Sequence, residues 1–387
     1  MTEVLIDVTR LLDRGLRGRL PTGVDRVSLE YVRHFRRRAL AIVRFAGRWV
    51  GLGGTDSLRV FDALLDPGPR FGAVVRWCVG KNYALRWSPV SGPRVLFNTG
   101  HSGLDRLDYA PRLHRAGFLP VFFLHDLIPI THPEYCRAGE PQKHRRRLDT
   151  MLSAGAALIV NSAATLASLE AHAAAAGRAI PPCVVAPLAP GRLPAGEQAP
   201  PLDAPYFVML GTIEPRKNHW LMLHVWRDLA ERLGAAAPRL VIIGQVGWDA
   251  ENVLAMLERC ERIGPHVIHR QACSDEELAG WLKHARALLF PSFVEGYGLP
   301  LVEALSLGLP VIASDLPAFR EVAGDVPDYL SPVDGNGWKA AVAEYAAKAG
   351  GRRAAQLERL RDYRAPTWPE HFARVDSLLE RVGAAAR

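Results

Sequence analysis

Short apolar runs alternate with helical patterns along the first half of the chain. In chain order these segments are VLIDV, VSLEYVRHF, AIVRFA, RVLFN, LPVFFLHDL, ALIVN and CVVAP. Buried strands of a parallel sheet have short, continuous apolar runs, whereas helices place apolar residues three or four positions apart. An alternation of the two predicts a parallel sheet with helices on both faces. The run nearest the N-terminus is expected to be the first strand.

A proline-rich stretch interrupts this pattern. Eight prolines fall between Pro181 and Pro205, and a segment of this composition can continue neither a helix nor a central strand. A chain of 387 residues has room for two domains. We therefore predict a first domain at residues 1–190, followed by a linker at residues 191–205.

The same alternation resumes after the linker. The strand candidates are Tyr206–Leu210, Leu240–Gly244, Ala287–Phe290 and Val311–Ala313. Helical patterns separate them, and the last two helices are expected at Trp338–Arg364 and His371–Val382. The second half therefore predicts another α/β domain with a parallel sheet.

The composition is that of an ordinary globular protein, with 49% hydrophobic and 23% charged residues. The five cysteines have neither disulfide-like nor zinc-like spacing, which favours a reducing, cytoplasmic compartment. The N-terminal segment lacks the apolar core of a signal peptide. The uncharged run Thr150–Leu169 is interrupted by Ser153, Gly155 and Asn161. It predicts a strand at Ala157–Val160 and a capped helix rather than a membrane span.

Positive charge is concentrated in clusters. The formal net charge is +8, and the clusters lie within Arg14–Arg19, Arg33–Arg38 and Lys143–Arg147. Such clusters either form solvated helix faces or contact an anionic surface. The chain contains no nucleic-acid-reading motif, so we expect no nucleic acid partner. The functional interpretation is peripheral contact with the inner face of the cytoplasmic membrane.

Two carboxylates flank a glycine turn within the stretch Pro291–Gly308. Gly296 and Gly298 permit a tight turn between a buried strand and a helix. The first N–H groups of that helix and its positive dipole end form an anion site. Glu295 precedes the turn and Glu303 lies in the helix. Their oxygens suit sugar hydroxyls, although a carboxylate near a helix start also complements the dipole.

Two cations follow the first strand of the second half. Gly211 permits a close backbone turn, and Arg216 and Lys217 come next. A nucleotide diphosphate develops negative charge as a bond to it breaks, and fixed cations stabilise that charge. Arginine binds the oxygens bidentately, and lysine supplies a point charge. Because no Asp-x-Asp loop for a metal accompanies these cations, we predict a metal-independent site without a cofactor.

Histidines follow two strands of the first half. His125 and Asp126 follow the apolar run LPVFFL, and His101 follows RVLFN. Ligands bind at the carboxyl ends of strands in open α/β sheets. His125 is therefore a candidate for contact with a ligand, although a lone histidine is more often structural, and Asp126 could simply orient the loop.

Two segments resemble glycosyltransferase family 4, whose members are retaining enzymes with the GT-B fold. Glu295 and Glu303 are separated by seven residues within FVEGYGLPLVEAL and match the E-x7-E signature of that family. Upstream, the segment GTIEPRKNH is similar to its diphosphate-binding segment. The resemblance covers the second half of the chain well and the first half loosely.

The resemblance implies two Rossmann-like parallel-sheet domains that face each other across a cleft. It implies that the acceptor binds mainly to the first domain and the donor to the second. It also implies that a C-terminal helix, residues 370–387, completes the first domain. The second domain then spans residues 206–369.

The family motifs imply a role for each matching residue. Glu295 would hold hydroxyls of the transferred sugar and Glu303 the ribose, while Arg216 and Lys217 would hold the diphosphate. His125 would lie near the sugar ring, so His125 and Glu295 are the catalytic candidates. The donor-binding segments are completed by Gly211, Thr212, Gly296, Tyr297, Gly298 and Leu299.

The segment LPTGVDR takes the place of a glycine loop of the family. That loop often has two adjacent glycines, whereas this chain has only Gly23. We expect the segment to follow the first strand directly and to open a helix. Gly23 is carried over as a donor-binding candidate, and the acceptor-side candidates are Arg26, His101 and Asp126.

The expected function is transfer of a hexose from a nucleotide sugar, with retention, onto a lipid-linked or polysaccharide acceptor in cell-surface glycan biosynthesis. The segment EPRKN resembles that of GDP-mannose users among bacterial polysaccharide enzymes, and this resemblance implies mannose from GDP-mannose. The residues by themselves leave the sugar, the base and the oligomeric state open. The alternatives are a nucleotide-sugar 2-epimerase or a glycoside phosphorylase of the same fold, or a non-catalytic nucleotide-sugar-binding protein. A phosphorylase would need a pyridoxal-bearing lysine motif, which we do not find.

Overall fold

Residues 3–85, 94–194, 199–347 and 351–385 are described by the computed structural model. Residues 195–198 of the predicted linker lie outside them. The chain divides into two units, each with its own sheet. The first unit comprises Met1–Leu127, Gln142–Leu188 and Trp368–Arg387. The second comprises Ile128–Pro141 and Ala189–Thr367, so residues 128–141, which we had expected in the first domain, group with the second unit.

The sheet of the first unit is parallel except at one edge. Its strands are β1 Val4–Asp7, β2 Ala39–Phe45, β3 Arg48–Gly51, β4 Arg94–Asn98, β5 Phe118–Leu124, β6 Ala157–Val160 and β7 Cys183–Val185. Their order across the sheet is β3-β2-β1-β4-β5-β6-β7. The apolar runs are buried as predicted, since every residue of β4 and β6 is buried.

Strand β3 corrects the prediction of a wholly parallel sheet. It pairs antiparallel with β2 through a two-residue turn at Ala46 and Gly47. Both turn residues have positive φ, 45° and 77°, as in the hairpin turns whose twist matches that of the strands. The sequence of this hairpin carries no Asn-Gly or Asp-Gly signal, and its second strand is short, so the pattern did not indicate it.

Helices of the first half alternate with the strands along the chain. In chain order they are α1 Thr9–Leu16, α2 Gly23–Phe35, α3 Gly54–Leu65, α4 Phe71–Ala84, α5 Tyr109–Ala116, α6 Ile128–Thr131, α7 Glu140–Ala154 and α8 Ala163–Ala175. Ser162 caps α8 by accepting a hydrogen bond from Thr165 N at 3.0 Å, as its position after the strand predicted. Helix α1 lies between β1 and α2. The segment Leu20–Arg26 therefore does not follow the first strand directly, contrary to our expectation.

The sheet of the second unit is parallel throughout the described residues. Its strands are β8 Tyr206–Leu210, β9 Arg239–Ile243, β10 Val267–Arg270, β11 Leu288–Phe290, β12 Val311–Ser314 and β13 Asp328–Leu330. Their order is β10-β9-β8-β11-β12-β13. From β8 the chain first adds β9 and β10 towards one edge of the sheet. It then adds β11, β12 and β13 towards the other edge. Ligands of open α/β sheets bind where the strand order reverses in this way.

Helices of the second half are α9 His219–Leu233, α10 Glu251–Arg259, α11 Asp275–His284, α12 Leu299–Ser306, α13 Pro317–Ala323, α14 Gly335–Ala346, α15 Gly351–Arg361 and α16 Trp368–Ala385. The single helix predicted at Trp338–Arg364 is two helices, α14 and α15; residues 348–350 lie outside the described part of the chain. The core of the second unit contains the fully buried side chains of Phe207 and Trp226. None of the helices in the described residues is long and apolar enough to cross a membrane.

Helix α16 completes the core of the first unit. Its residues Phe372, Val375 and Leu378 are buried. His371 Nε2 lies 3.0 Å from the hydroxyl of Tyr31 in α2. The end of the chain is therefore held in the first unit by apolar contacts and by a buried polar pair.

Candidate active site

The predicted anion-binding residues lie where the strand order of the second sheet reverses. Arg216 and Lys217 belong to a 3₁₀ turn, Pro215–Lys217, that follows β8. Glu295 belongs to the loop that follows the neighbouring strand β11. Because β8 and β11 are parallel, both segments leave the sheet at the same edge. The fold therefore brings together residues that are far apart in the sequence.

Glycines allow the segment after β8 to lie close to the segment after β9. Gly211 has φ +139°. A Cβ atom on Gly244 would overlap the carbonyl oxygen of Gly211, and one on Gly247 would lie 2.7 Å from Cγ2 of Thr212. The Lys217 side chain also passes close to Gly211, since a Cβ there would lie 3.4 Å from Lys217 Cε. Side chains at these glycines would displace the turn that carries the two cations.

Asn218 connects the cation-bearing turn to the loop after β11. Its backbone takes the left-handed conformation, with φ 58°, just before α9. Its side-chain amide donates to Pro291 O at 3.2 Å and to Pro332 O at 2.7 Å. In addition, Phe293 N donates to Arg216 O at 2.8 Å. These bonds fix the position of Arg216 and Lys217 relative to the residues around Glu295.

Four charged side chains form one ion-pair cluster at this edge. Lys217 Nζ lies 2.5 Å from Glu295 Oε1, and Arg216 Nη1 lies 2.6 Å from Glu295 Oε2. Arg216 Nε lies 2.5 Å from Glu214 Oε1. Ser292 Oγ donates to Glu295 Oε1 at 2.9 Å. We call Glu214, Arg216, Lys217 and Glu295 the charge cluster, in which two cations balance two carboxylates.

Burial and charge pairing set the ionisation of the charge cluster. Burial raises the pKa of Glu295, but the charges and hydrogen bonds of Arg216 and Lys217 outweigh it, so that the pKa is about 2. Burial also raises the pKa of Glu214 and lowers that of Lys217, in each case against the effect of the opposite charges. Lys217 Nζ lies 4.7 Å from the centroid of the Phe290 ring. The cluster is thus held in a largely desolvated place, where charges interact strongly.

The glycine turn before α12 has the geometry that the sequence suggested. Gly298 has φ +107°, and a Cβ there would lie 2.7 Å from Cε1 of Phe319. Tyr297 is buried and Leu299 begins the helix. Gly296 does not have positive φ, so only one of the two glycines is required by its backbone conformation.

Glu303 contacts the segment that leads into the second unit. It is buried within α12, and its Oε1 accepts a hydrogen bond from Gly191 N at 3.2 Å. Gly191 lies at the start of the predicted linker. The hydrogen bond between Glu303 and Gly191 therefore fixes the position of the backbone where the chain enters the second unit.

The candidate histidines of the first unit lie side by side. The ring centroids of His101 and His125 are 5.2 Å apart. His101 Nε2 donates to Phe123 O at 2.7 Å, and His125 Nε2 donates to Thr99 O at 2.8 Å. A carbonyl oxygen only accepts, so both rings carry their proton on Nε2. Burial lowers the pKa of both histidines, that of His101 well below its usual value.

Asp126 follows His125 and is half-buried. Its backbone oxygen accepts a hydrogen bond from His144 Nε2 at 3.0 Å. The carbonyl oxygen of His125 likewise accepts a bond from Asn161 Nδ2 at 2.9 Å. These bonds fix the backbone on both sides of the histidine.

Asp25 organises the segment that contains Gly23 and Arg26. Gly23 and Arg26 lie in the first turns of α2. Asp25 forms a capping box with Thr22, accepting from Thr22 N at 2.8 Å. The same carboxylate pairs with Arg10 Nε at 2.7 Å and with Arg14 Nε at 2.8 Å. Asp25 therefore connects α1 to the start of α2, a role that the sequence did not indicate.

Residues 195–340 match the family model described as glycosyl transferases group 1. The second unit therefore contains a segment that is similar to group 1 glycosyltransferases. Every residue of its charge cluster lies inside the matched segment. The predicted resemblance to glycosyltransferases is confirmed at the level of this family model.

Curated relatives of this chain include bacterial mannosyltransferases. The chain is 29% identical over 249 residues to the serotype-specific mannosyltransferase WbdA of Escherichia coli, an alignment that covers 60% of this chain and 30% of that protein. It is 35% identical over 129 residues to the O-antigen chain mannosyltransferase B of E. coli, with 33% of each chain covered. The chain thus spans about a third of the length of the curated relatives that it matches.

Solved structures show the fold of the whole chain. Sucrose-phosphate synthase from Thermosynechococcus elongatus superimposes with a TM-score of 0.62 at 14% identity, with both chains fully covered. The UDP-forming α,α-trehalose-phosphate synthase of Burkholderia vietnamiensis gives 0.64 at 12% identity, with 100% of this chain and 99% of that chain covered. The predicted GT-B fold, with two parallel-sheet α/β domains, is confirmed.

Sequence reasoning missed three residues that hold the site together. Glu214 lies two positions before Arg216, and this closeness to the predicted cations was the available signal. Asn218 acts through contacts with other segments, and Ser292 acts through a hydrogen bond to Glu295 in its own loop. Their residue types alone carry no signal for those contacts.

Proposed function

We propose that this protein transfers a hexose, with retention of configuration, from a nucleotide sugar to a lipid-linked or polysaccharide acceptor. The observation that carries the proposal is the charge cluster at the strand-order reversal of the second sheet. In the proposal the sugar is mannose and the donor is GDP-mannose. The names of the curated relatives, which are mannosyltransferases of O-antigen synthesis, support the choice of sugar.

In the proposed reaction, Arg216 and Lys217 hold the diphosphate of the donor. Negative charge grows on the diphosphate as its bond to the sugar breaks, and prepositioned cations stabilise that charge. Both cations are already fixed by ion pairs and by the neighbouring backbone. Little rearrangement is then required at the moment of reaction. The site is proposed to work without a metal ion or a cofactor.

Glu295 is proposed to exchange partners when the donor binds. Its two oxygens pair with Lys217 and Arg216, which are the groups that the diphosphate requires. Once Glu295 shares Arg216 and Lys217 with the diphosphate, its oxygens can also accept hydrogen bonds from sugar hydroxyls. Its low pKa ensures that it accepts hydrogen bonds rather than donates them.

Other residues have proposed roles that follow from their place in the motif. Glu303 is proposed to bind the ribose, with its bond to Gly191 keeping the carboxylate in place. The contact of His125 with the transferred sugar stays a prediction. Since its Nε2 donates to Thr99, a bond to the sugar would use Nδ1 as an acceptor. In a front-face path, the leaving phosphate itself would take the acceptor proton.

The deciding experiment is a calorimetric titration with GDP and with UDP in a chelator, using the wild type and Lys217→Ala. Loss of one charge-assisted contact should cost ~1.5–3 kcal/mol, a weakening of about tenfold to 150-fold. Arg232→Ala is a matched control, because this exposed arginine lies on the far end of α9. If Lys217→Ala binds both nucleotides as well as the wild type, the donor site is misplaced.

A turnover assay distinguishes sugar transfer from the alternative functions. The proposed enzyme should release GDP from GDP-mannose when a glycan acceptor is present and much more slowly without it. Release without an acceptor, together with a new epimer, would identify a nucleotide-sugar 2-epimerase. Binding without release under either condition would identify a nucleotide-sugar-binding protein. Nuclear magnetic resonance of the product's anomeric proton tests retention.

A further inference from the structure

A large cavity lies in the first unit where its own strand order reverses. In that sheet β1 is bordered by β2 on one side and by β4 on the other. The cavity has a volume of about 770 Å³ and is lined by Val43 in β2 and by residues that follow β1 and β4, including Thr9 and Gly100. Parallel α/β sheets place ligand sites at this position. A cavity of this size accommodates a small organic ligand.

Positive charge predominates on the wall of this cavity. Two carboxylates line it, Asp13 and Asp105. The cationic side chains that line it are Arg10, Arg44, Arg76, Lys143 and Arg147. A wall with this excess of cations favours an anionic ligand.

Two of these arginines are held in place by buried carboxylates. Arg10 pairs with Asp25 at 2.7 Å, and Arg44 lies 3.6 Å from Asp7 and donates to Ser102. Arg10 passes so close to Gly100 that a Cβ there would lie 2.8 Å from its Cδ. These guanidinium groups therefore have defined positions in the wall.

Two other cations of the wall are exposed and lack an ion pair. Arg76 and Lys143 are both exposed. Neither forms a salt bridge with any carboxylate in the described part of the chain. They come from different helices, α4 and α7, and both line the cavity. Their charges are therefore available to a ligand.

The same cavity has an apolar wall that is partly exposed to solvent. Its apolar lining residues are Leu12, Leu16, Val43, Phe45, Val75 and Val79. Leu16 is 45% exposed and Phe45 is 48% exposed. Large apolar side chains left open beside cations indicate a ligand with both an anionic and an apolar part.

We propose that this cavity binds the phosphate of a lipid-linked acceptor together with the first part of its hydrocarbon chain. Arg76 and Lys143 contact the phosphate oxygens, with Arg10 and Arg44 adding positive charge behind them. Leu16 and Phe45 contact the chain. The proposal rests on the proposed function in calling this ligand the acceptor, and it narrows the acceptor to a phosphate-bearing lipid.

The test is a calorimetric titration of the full chain with three probes below their micelle concentrations. Octyl phosphate carries both the phosphate and the chain, glucose 1-phosphate has the phosphate alone, and octyl glucoside has the chain alone. Octyl phosphate should bind about tenfold or more tightly than either of the others, because it gains both kinds of contact. Equal binding of glucose 1-phosphate would assign the cavity to free sugar phosphates and overturn the lipid assignment. Equal binding of octyl glucoside would overturn phosphate recognition.

Variants localise the bound phosphate. The double variant Arg76→Ala/Lys143→Ala should weaken octyl phosphate binding about tenfold or more. The matched control is Arg70→Ala/Arg145→Ala, which removes the same charge from exposed residues that do not line the cavity. All four positions are exposed, so the variants should fold. An equal loss in the control would show attraction by net charge alone and overturn the proposal.

The Lys217→Ala variant shows whether octyl phosphate binds in the cavity of the first unit or at the proposed donor site. Octyl phosphate should bind this variant as well as it binds the wild type, whereas GDP should not. If Lys217→Ala weakens octyl phosphate binding, the probe occupies the charge cluster and the cavity assignment fails. If octyl phosphate binds as expected but GDP binds nowhere, the proposed function fails while the cavity still holds a phosphate-bearing lipid.

Discussion

Lys217 Nζ lies 2.5 Å from Glu295 Oε1, although the two residues follow different strands of the sheet. Arg216 binds the other oxygen of the same carboxylate. Both cations that are proposed to hold a diphosphate are thus neutralised by a carboxylate of the protein. An incoming diphosphate must compete with Glu295 for them, which gives this residue opposite effects on nucleotide binding and on sugar transfer.

Glu295→Gln should separate these two effects. The amide keeps the shape of the side chain but removes its charge, so the cations become more available. GDP should bind roughly fivefold more tightly, a gain of about 1 kcal/mol, while transfer should fall by about 100-fold or more because the charged acceptor for sugar hydroxyls is lost. Calorimetry and a GDP-release assay measure the two quantities. Glu214→Gln is the control, since Glu214 pairs with Arg216 but with no other cation of the described residues. Weaker GDP binding by Glu295→Gln would contradict the competition.

The low pKa of Glu295 predicts a specific loss of stability in acid. Its pKa is about 2 in the folded protein, against an ordinary value of 4.5. A depressed carboxyl pKa stabilises the fold above pH 4.5, and this contribution is lost as the pH falls towards 2. Each pH unit in that window is worth about 1.4 kcal/mol. Between pH 5 and pH 3 the wild type should lose roughly 2 kcal/mol more unfolding free energy than Glu295→Gln, as measured by urea unfolding. Parallel losses in the two proteins would show that the carboxylate has no such role.

Three of the four members of the charge cluster, Arg216, Lys217 and Glu295, were predictable because each follows a buried strand with a clear apolar pattern. Residues Tyr206–Leu210 and Leu288–Phe290 are short, apolar and bordered by turn residues, and the polar residues after them had to lie at one sheet edge. The resemblance to the family motifs then identified Arg216, Lys217 and Glu295 as the candidate site residues among those polar residues. The local sequence was enough to predict these three residues, because the end of a strand places the following side chains at a known edge of the sheet.

Other features depend on contacts that no local pattern encodes. The bond between Glu303 and Gly191 joins residues that are far apart in the chain. Helix α1 was missed because its sequence, TRLLDRGL, is short and contains a glycine, although Leu11 and Leu12 bury one face of it. The pairing of Asp25 with Arg10 and Arg14 then follows from the presence of that helix. Contacts between residues that are distant in the sequence determine each of these features, so the local sequence did not predict them.

Gly298 should tolerate no side chain. Its φ of +107° is strained for alanine, and the added Cβ would lie 2.7 Å from the ring of Phe319. That ring is fully buried and stacked on Phe290, with centroids 4.7 Å apart, so it has little room to move. Gly298→Ala should therefore lower the unfolding free energy by roughly 2–4 kcal/mol.

Gly308→Ala is the matched control for that change. Gly308 also has positive φ, +75°, but a Cβ there would meet open space. Its substitution should cost only the backbone strain, about 1 kcal/mol. Urea unfolding of both variants measures the difference, and equal losses would show that contact with Phe319 contributes nothing.

The paired histidines of the first unit predict a second pH effect at milder acidity. Burial lowers the pKa of His101 and His125 below their ordinary value of 6.5. As the pH falls below 6.5, the unfolded chain takes up protons first, so folding stability declines. The slope should reach about 1.4 kcal/mol per pH unit for each histidine that stays neutral. Urea unfolding at pH 7, 6 and 5 should show this decline in the wild type and a smaller decline in His101→Gln. His114→Gln provides the substitution control, because His114 is an exposed histidine of the same unit. If His101→Gln and the wild type decline in parallel, the His101 ring is protonated in the folded protein, and its Nε2 bond to Phe123 would no longer define a neutral tautomer.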